Sequence, residues 1–373
     1  MKKTILLLAL ILIILTGCYD RKEINKMAIV SGFGFDLDEN NDIVLTFQII
    51  NPQALGKKGG GAGVEPFWIT QTKGEMVLEA IRKTMQHSPN KLYVSHNQII
   101  VIGEELAKKG LNRISDLLLR DEEPREDAFL IVAEGKASDI LQTKLPVGSI
   151  PAFEIADKVR STKVSSLAVT STVIDYAKFL TSDSPGIALG KISKSQDKLD
   201  YSGGALFEGD KLIDFLTETE ARGYLWLKGD VEGGVIFTEV EEMDTKVVLE
   251  IVRSKSGFKP VILKNGQLSF VVQVAVVGRL GEFTNSKKII SLNKWPNLVK
   301  AIENKIKSEI KSVIDKAHYT HVDFLGFGNQ IKKSLPKEWK KIETSWSSMF
   351  PEIPVSFNIL VEIAGVGMVK QSP

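Results

Sequence analysis

Cys18 is the only cysteine of the chain, and its surroundings suit a thiol that receives a lipid. A lysine-containing start leads into an apolar run from Ile5 to Leu15, and Thr16 and Gly17 stand directly before the cysteine. A basic segment, an apolar segment and small residues in this order are typical of an export signal. The apolar run spans about 16 Å as a helix, roughly half of a hydrocarbon core. The sequence predicts residues 1–17 as a signal peptide, cleaved between Gly17 and Cys18.

A diacylglyceryl group on the Cys18 thiol, and an N-acyl chain on the amine exposed by cleavage, would anchor the mature chain. Two acyl chains such as palmitate bind a bilayer firmly, whereas one chain is marginal. An ordinary secretory signal with no lipid is the alternative interpretation. With Cys18 lipidated, no thiol remains for a disulfide, a zinc thiolate site or a nucleophile.

The histidines and acidic residues offer little for a metal ion. Of the four histidines, His87, His96, His318 and His321, the last two are spaced for one helix, but only Asp323 follows them as a further ligand. Residues 36–42 imitate the start of a calcium loop, yet Phe47 stands where a bidentate Glu belongs. We interpret this acidic segment as a hairpin turn and expect no metal site.

Residues 56–63, Gly-Lys-Lys-Gly-Gly-Gly-Ala-Gly, could cradle a phosphate with backbone amides, but they lack the Gly-Lys-Ser/Thr ending of a phosphate-binding loop. We interpret them as a flexible surface loop. No Gly-x-Ser-x-Gly elbow, His-Glu-x-x-His helix or complete dinucleotide fingerprint occurs. The sequence therefore predicts a protein that is not an enzyme and has no cofactor apart from the lipid on Cys18.

Charge and hydropathy narrow the class further. The 373-residue chain contains 48 basic and 46 acidic residues. Cleavage of the signal peptide removes Lys2 and Lys3 and no acidic residue, so the numbers of basic and acidic residues in the mature chain are equal. A neutral mature chain does not favour nucleic-acid binding, nor would its net charge draw it to acidic lipids. Beyond the signal, no apolar run reaches the length of a transmembrane helix. The body is expected to lie beside the membrane, in two or three domains.

Alternating strand and helix patterns extend over residues 18–198, which we interpret as an N-terminal α/β region with a linker near 191–200. Its first two strands are joined by the acidic turn as a hairpin. The predicted strands are 24–35, 43–50, 93–102 and 129–133, and the predicted helices are 74–87, 104–110, 114–119 and 173–180.

Residues 199–373 are predicted as a C-terminal α+β region, β-rich over 203–277, helical over 297–350 and closed by a strand over 355–363. A hairpin over 203–216, a helix over 218–227 and strands over 234–240, 245–255 and 267–277 come first. Residues 297–317 show the clearest amphipathic pattern, and further helices are expected near Thr320 and Pro336. A stripe of Trp339, Ile342, Trp346 and Phe350 fits core packing or a partner-binding face. The predicted fold class is multi-domain α+β, with mixed or antiparallel sheets packed against helices.

Short motifs in a shared order resemble the Ger(x)C family, the C-subunit lipoproteins of bacterial spore nutrient germinant receptors. The resemblance covers essentially the whole chain. Tyr19 and Ala221 are mild departures, standing where the family has Trp and Thr. The motifs are residues 17–24 (GCYDRKEI), 48–52 (QIINP), 95–97 (SHN), 102–106 (IGEEL), 119–121 (LRD), 211–212 (KL), 219–223 (TEARG), 323–328 (DFLGFG) and 336–339 (PKEW).

This resemblance implies a non-enzymatic receptor subunit of three compact α/β-type domains. It would lie on the outer face of the spore inner membrane, the cell membrane of a spore-forming bacterium. Its partners would be a membrane-embedded A subunit and a transporter-like B subunit, and nutrient binding would trigger release of ions and dipicolinate. The germinant itself is not indicated.

Two motifs are candidates for contact with these partners. Ser95-His96-Asn97 and Gly326-Phe327-Gly328 each fit a partner surface, but each also fits a structural role, as polar residues before a strand and as glycines in a tight turn. A substrate-binding lipoprotein of a transporter is the alternative function, and a cell-envelope hydrolase is a third. A substrate-binding lipoprotein requires two similar lobes around a ligand cleft.

Overall fold

The computed structural model describes residues 27–55, 65–87, 90–120, 125–145, 149–196, 198–284 and 295–366. The predicted signal peptide, Cys18 and the glycine-rich loop 56–63 lie outside the described residues. Within them, no helix has both the length and the apolarity that a membrane crossing requires.

Fourteen strands form two sheets within the described part of the chain. The first sheet contains ten strands and the second contains four. The strands are β1 (Met27–Leu37), β2 (Ile43–Ile50), β3 (Phe67–Gly74), β4 (Lys91–Tyr93), β5 (Ile99–Ile102), β6 (Phe129–Ala133), β7 (Gly186–Ser195), β8 (Lys198–Asp200), β9 (Gly204–Glu208), β10 (Lys211–Leu216), β11 (Val235–Val240), β12 (Thr245–Ile262), β13 (Leu268–Phe283) and β14 (Val355–Val366).

The helices alternate with the strands in the first half and cluster near the end of the second. Short 3-10 turns cover Glu241–Met243, Glu343–Ser345 and Phe350–Glu352. The α-helices are α1 (Pro52–Leu55), α2 (Val77–His87), α3 (Glu104–Lys109), α4 (Asn112–Arg120), α5 (Ala137–Leu141), α6 (Pro151–Ser165), α7 (Val173–Leu180), α8 (Glu218–Lys228), α9 (Trp295–Thr320), α10 (Phe327–Ser334), α11 (Pro336–Ile342) and α12 (Trp346–Met349).

The first sheet is mixed and has helices on both faces. Its main order is β10-β9-β7-β6-β5-β1-β2-β3; β1, β5, β6 and β7 are parallel, while β2, β3, β9 and β10 are antiparallel to their neighbours. Alternate strand residues enter opposite cores, as Ile100 and Ile99 do. Helices α2, α3, α4 and α7 cover one face, and α5 and α6 cover the other.

The second sheet has the order β11-β12-β13-β14, with β14 parallel to β13 and the other pairs antiparallel. Helix α9 packs on one face of this sheet. Its buried side chains are spaced three and four residues apart and include Leu298, Ile302, Ile306, Ile310 and Val313. This apolar cluster also contains Val169 from the first half, together with Ala188 and Leu206 from strands β7 and β9 of the first sheet. The two sheets therefore share buried apolar contacts.

The α+β prediction is confirmed, as are the first hairpin, the hairpin over 203–216 and the amphipathic helix over 297–317. In the predicted stripe, Trp339, Trp346 and Phe350 are buried, and Ile342 is half-buried against the same cluster, which assigns these side chains to the core. Helix α6 and strand β3 were not predicted.

Three element predictions were wrong. Residues 191–200 are not a linker, because β7 and β8 occupy them and the buried Leu189 and Ile192 anchor β7 in the sheet. The single strand over 93–102 is two strands, β4 and β5, separated by a turn. No helix begins near Thr320, since α9 ends there, His321 has a φ of 57° and α10 begins at Phe327.

Candidate functional site

Ser95-His96-Asn97 forms the turn between β4 and β5. Asn97 is buried; its backbone N–H donates to the Val94 oxygen at 2.9 Å, and its Oδ1 accepts from the Arg125 N–H at 3.1 Å. His96 is exposed, with its ring 5.3 Å from the ring of Tyr93 in an edge-on contact. Asn97 thus stabilises the turn, while His96 is the surface residue of the motif.

Gly326-Phe327-Gly328 surrounds the buried carboxylate of Asp323. Oδ1 accepts the Gly326 and Phe327 N–H groups at 2.9 Å each, and Oδ2 accepts the Gly328 N–H at 2.6 Å. The indole Nε1 of Trp346 donates to Oδ2 at 3.1 Å. Burial raises the pKa of Asp323, while these donors act in the opposite direction. The carboxylate satisfies the first N–H groups of α10.

The two glycines of this motif are required by backbone geometry and space. Gly326 has a φ of 84°, a left-handed conformation that favours glycine. A Cβ on Gly328 would lie 2.8 Å from Trp346 Nε1 and 3.0 Å from the Trp339 ring. Phe327 stacks on Phe270 with 4.2 Å between ring centroids. These contacts give the motif a structural role in joining α10 to the second sheet.

A buried ion pair connects α8 to α9. Arg222 donates from Nε to Glu309 Oε2 at 2.9 Å, from Nη2 to Oε1, and from Nη1 to the Val235 oxygen at 2.7 Å. Trp226 Nε1 donates to the same Glu309 Oε2 at 3.2 Å. A Cβ on Gly223 would lie only 2.1 Å from the Glu309 carbonyl oxygen, so the two helices meet at backbone distance.

Gln48 connects the first sheet to the helices on one of its faces. Its Oε1 accepts from Ser31 Oγ at 2.8 Å and from the Ala152 N–H at 3.0 Å, and its Nε2 donates to the Leu141 oxygen at 2.6 Å. The side chain is fully buried, and all of these groups lie far apart in sequence. Gln48 therefore fixes α5 and α6 against β1 and β2.

Two carboxylates of the acidic segment 36–42, those of Asp36 and Asp38, accept hydrogen bonds from different parts of the chain. Asp36 is buried and accepts from the Ala137 and Ser138 N–H groups at 2.8 and 2.9 Å, at the start of α5. Desolvation raises the pKa of Asp36, and these two donors act in the opposite direction. Asp38 accepts from the N–H groups of Asn40 and Asp42 at 2.9 Å each, which confirms the hairpin turn. The sequence shows no sign of the role of Asp36, since its partners are about a hundred residues away.

His318 and His321 do not combine into a metal-binding arrangement. His318 is half-buried in an edge contact with Phe350, and burial lowers its pKa. In the described ranges, no group of three or more His, Cys, Asp or Glu side chains is placed to hold a metal ion. Cys18 and Gly17, the predicted lipidation and cleavage residues, fall outside those ranges.

Two family models divide the chain between them. The model described as the spore germination protein N-terminal domain matches residues 20–194, and the model described as spore germination B3/GerAC-like, C-terminal, matches residues 202–367. The chain belongs to the Ger(x)C family. Both halves of the sequence carry the family pattern, and the boundary between the models falls in the β7–β9 region of the first sheet.

Curated relatives match this Ger(x)C chain along its length. Spore germination protein KC of Bacillus subtilis (strain 168) is 28% identical, with 97% of this chain and 95% of the relative covered. Spore germination protein B3 of the same organism is 25% identical, with 96% of each chain covered. The crystal structure of the GerBC protein has the same fold, at a TM-score of 0.59 and 23% identity, covering 89% of this chain and 97% of that one.

Four of the motifs that carry the Ger(x)C resemblance each place one polar side chain in the interior of the structure. Gln48, Asn97, Arg222 and Asp323 are all buried, and each makes hydrogen bonds to groups on other elements or at a helix start. These four buried polar side chains connect separate segments of this chain. The structure does not bring Ser95-His96-Asn97 and Gly326-Phe327-Gly328 into one site: the first lies at the first sheet and the second at the second sheet.

Proposed function

We propose that this Ger(x)C protein is the non-enzymatic, lipid-anchored subunit of a spore germinant receptor and is needed for the response to nutrient germinants. In this proposal Cys18 carries the lipid and holds the chain on the outer face of the spore inner membrane. Membrane-embedded A and B subunits are its partners there. Confinement to the same membrane would raise the effective concentration of the subunits for one another.

The observation that carries this proposal is the match of both family models over residues 20–194 and 202–367. The relatives are covered almost completely, so the similarity extends to the whole architecture. The buried motif residues support the proposal further, because they stabilise a scaffold and leave its surfaces for contact with partners.

A substrate-binding lipoprotein would need two similar lobes that close on a ligand. Here a ten-stranded mixed sheet stands beside a four-stranded sheet of different topology, and the two share buried apolar contacts. This asymmetry favours the receptor-subunit function.

The test is a Cys18→Ala variant expressed from its own locus. We expect the variant to leave the membrane fraction of spores and to slow germination with nutrients, while germination with exogenous dipicolinate stays unchanged. Gly17→Ala is the matched control, since it keeps a small residue before the lipidated cysteine. Membrane retention and normal nutrient germination of Cys18→Ala would overturn the proposal, as would tight saturable binding of an amino acid or sugar by the purified protein with no effect on germination.

A further inference from the structure

Strand β14 forms an edge of the second sheet and has unusual composition for an edge. It pairs with β13 on one side, and no strand among the described residues pairs with its other side. Natural proteins protect such edges with lysine, proline or short strands, because free N–H and C=O groups attract other strands. Residues 355–364 contain neither lysine nor proline, and Glu362 is their single charged residue.

The apolar side chains on one face of β14 are also only partly covered by the rest of the protein. Five alternate side chains of β14 pack against the core on the α9 side, and all remain half-buried. Four of the facing residues of β13 are at most 2% exposed, namely Phe270, Val272, Val274 and Val276, and Ile236 on the opposite edge strand β11 is fully buried. The half-buried row consists of Val355, Phe357, Ile359, Val361 and Ile363.

A positive charge lies beside this row. Lys307 of α9 is exposed, and its Nζ lies 5.4 Å from the centroid of the Phe357 ring. Among the described residues, no carboxylate lies within ion-pair distance of Lys307. An acidic side chain placed over Phe357 would complement this charge.

We infer that the free edge of β14 is a docking site for an extended strand of another polypeptide in the receptor complex. The incoming strand would carry alternate apolar side chains toward α9 and an acidic side chain near Lys307. Main-chain hydrogen bonds would extend the sheet, and the apolar side chains would cover the half-buried row. This inference rests on the proposed function, because a receptor subunit requires a partner.

A second copy of this chain fits the edge less well. Pairing of two β14 strands would bring a second Lys307 to the shared apolar row, where like charges oppose each other. A heterologous strand with an acidic residue removes this repulsion.

The first experiment maps the contact in the assembled complex. The photo-crosslinker p-benzoyl-phenylalanine replaces Asn358, an exposed residue of β14, in the full chain expressed with its A and B subunits in spores. The control carries the crosslinker in place of Ile213, an exposed residue on β10, which forms an edge of the first sheet. After irradiation, we expect the position-358 sample alone to give a covalent adduct with an A or B subunit, identified by mass spectrometry.

A pair of lysine substitutions tests the edge without a crosslinker. Ile359→Lys places a charge in the apolar row, whereas Leu360→Lys places it on the neighbouring, outward-facing and exposed residue. We expect Ile359→Lys to lower co-purification with the membrane subunits at least tenfold and Leu360→Lys to leave it unchanged. Circular dichroism of both purified variants reports whether they remain folded.

The possible results separate this inference from the proposed function. Normal co-purification without an adduct at position 358 would overturn the docking site and leave the receptor function intact. An adduct between two copies of this chain would overturn the heterologous partner. Failure of the unaltered chain to co-purify with A and B subunits would overturn the proposed function and the inference together. If Ile359→Lys unfolds, the crosslinking result alone decides.

Discussion

At the residue scale, the buried pair of Arg222 and Glu309 offers the sharpest test of how α8 and α9 are joined. Glu309→Leu leaves the Arg222 guanidinium buried without its carboxylate, so we expect a loss of about 3–5 kcal/mol in unfolding free energy. The double variant Arg222→Met with Glu309→Leu removes both charges and should be more stable than Glu309→Leu alone. Urea unfolding of the four members of this cycle measures the coupling. Additive losses would contradict the assigned pairing.

Asp323 is expected to make stability depend on pH. Burial raises the pKa of Asp323 in the folded chain, so the folded state keeps the proton to higher pH than the unfolded state does. Its contribution is then fully present below the unfolded pKa of about 4 and is lost as the pH rises through the folded pKa.

The measurement is urea unfolding of the unaltered chain and of Asp323→Asn at several pH values from 4 to 7. Asparagine does not titrate, so the difference between the two unfolding free energies isolates Asp323. We expect the stability of the unaltered chain to fall relative to Asp323→Asn as the pH rises. A rise in the stability of the unaltered chain relative to Asp323→Asn would show that the N–H donors lower the pKa of Asp323 by more than desolvation raises it.

Sequence reasoning identified motif positions but not their partners. Arg222 and Gly328 lie in motifs that the sequence identifies, at 219–223 and 323–328. The groups that they contact, Glu309 and Trp346, belong to other helices. The acidic sequence around Asp36 predicts a turn and nothing more. The bonds of Asp36 to the start of α5 depend on the parallel arrangement of β1, β5 and β6, and one sequence does not encode that arrangement in any local pattern.

At the element scale, the spacing of α8 and α9 depends on Gly223. Gly→Ala in a helix normally stabilises by about 1 kcal/mol, but here a Cβ would lie 2.1 Å from the Glu309 backbone oxygen. We expect Gly223→Ala to separate the helices and to cost about 3 kcal/mol.

Gly257→Ala on β12 is the matched control, since nothing lies within 4 Å of its Cβ position. Its effect should be near zero or slightly stabilising. Thermal unfolding of both variants checks the contrast. Equal changes in thermal stability for Gly223→Ala and Gly257→Ala would contradict the close approach of α8 and α9.

Elements with strong local periodicity were predicted correctly, as were the strands over 129–133 and 355–363, whereas the strand β7 was mistaken in part for a linker. The spacing over 297–317 and the turn at Glu208-Gly209-Asp210 gave α9 and the β9–β10 hairpin. In contrast, the second half of β7 contains Lys191, Ser193, Lys194 and Ser195, of which only the last two are exposed, and this composition imitated a linker. Burial of Leu189 and Ile192 depends on β6 and β9, which the local sequence does not reveal.

At the scale of the whole molecule, the two halves are coupled through the β9–β10 hairpin. On one face, Ala205, Phe207 and Leu212 belong to the core of the first sheet. On the other face, Leu206 and Leu216 belong to the cluster around α9. A hairpin encoded at the start of the second half therefore completes the core of the first.

This coupling predicts that the position of a truncation decides whether the first half folds. A fragment of residues 19–198 lacks the hairpin and exposes the surface that the fully buried Phe207 and Ala205 cover. Burial of a Phe or Leu side chain contributes about 1.5–3 kcal/mol, so the loss of Phe207 and Leu212 together removes about 3–6 kcal/mol, near the lower end of the stability of a typical domain. A fragment of residues 19–217 retains them, together with the bond from the Leu111 N–H to the Asp210 oxygen at 2.8 Å. We expect cooperative urea unfolding for 19–217 and none for 19–198. Cooperative unfolding of the shorter fragment would show that the first sheet closes its core without the hairpin.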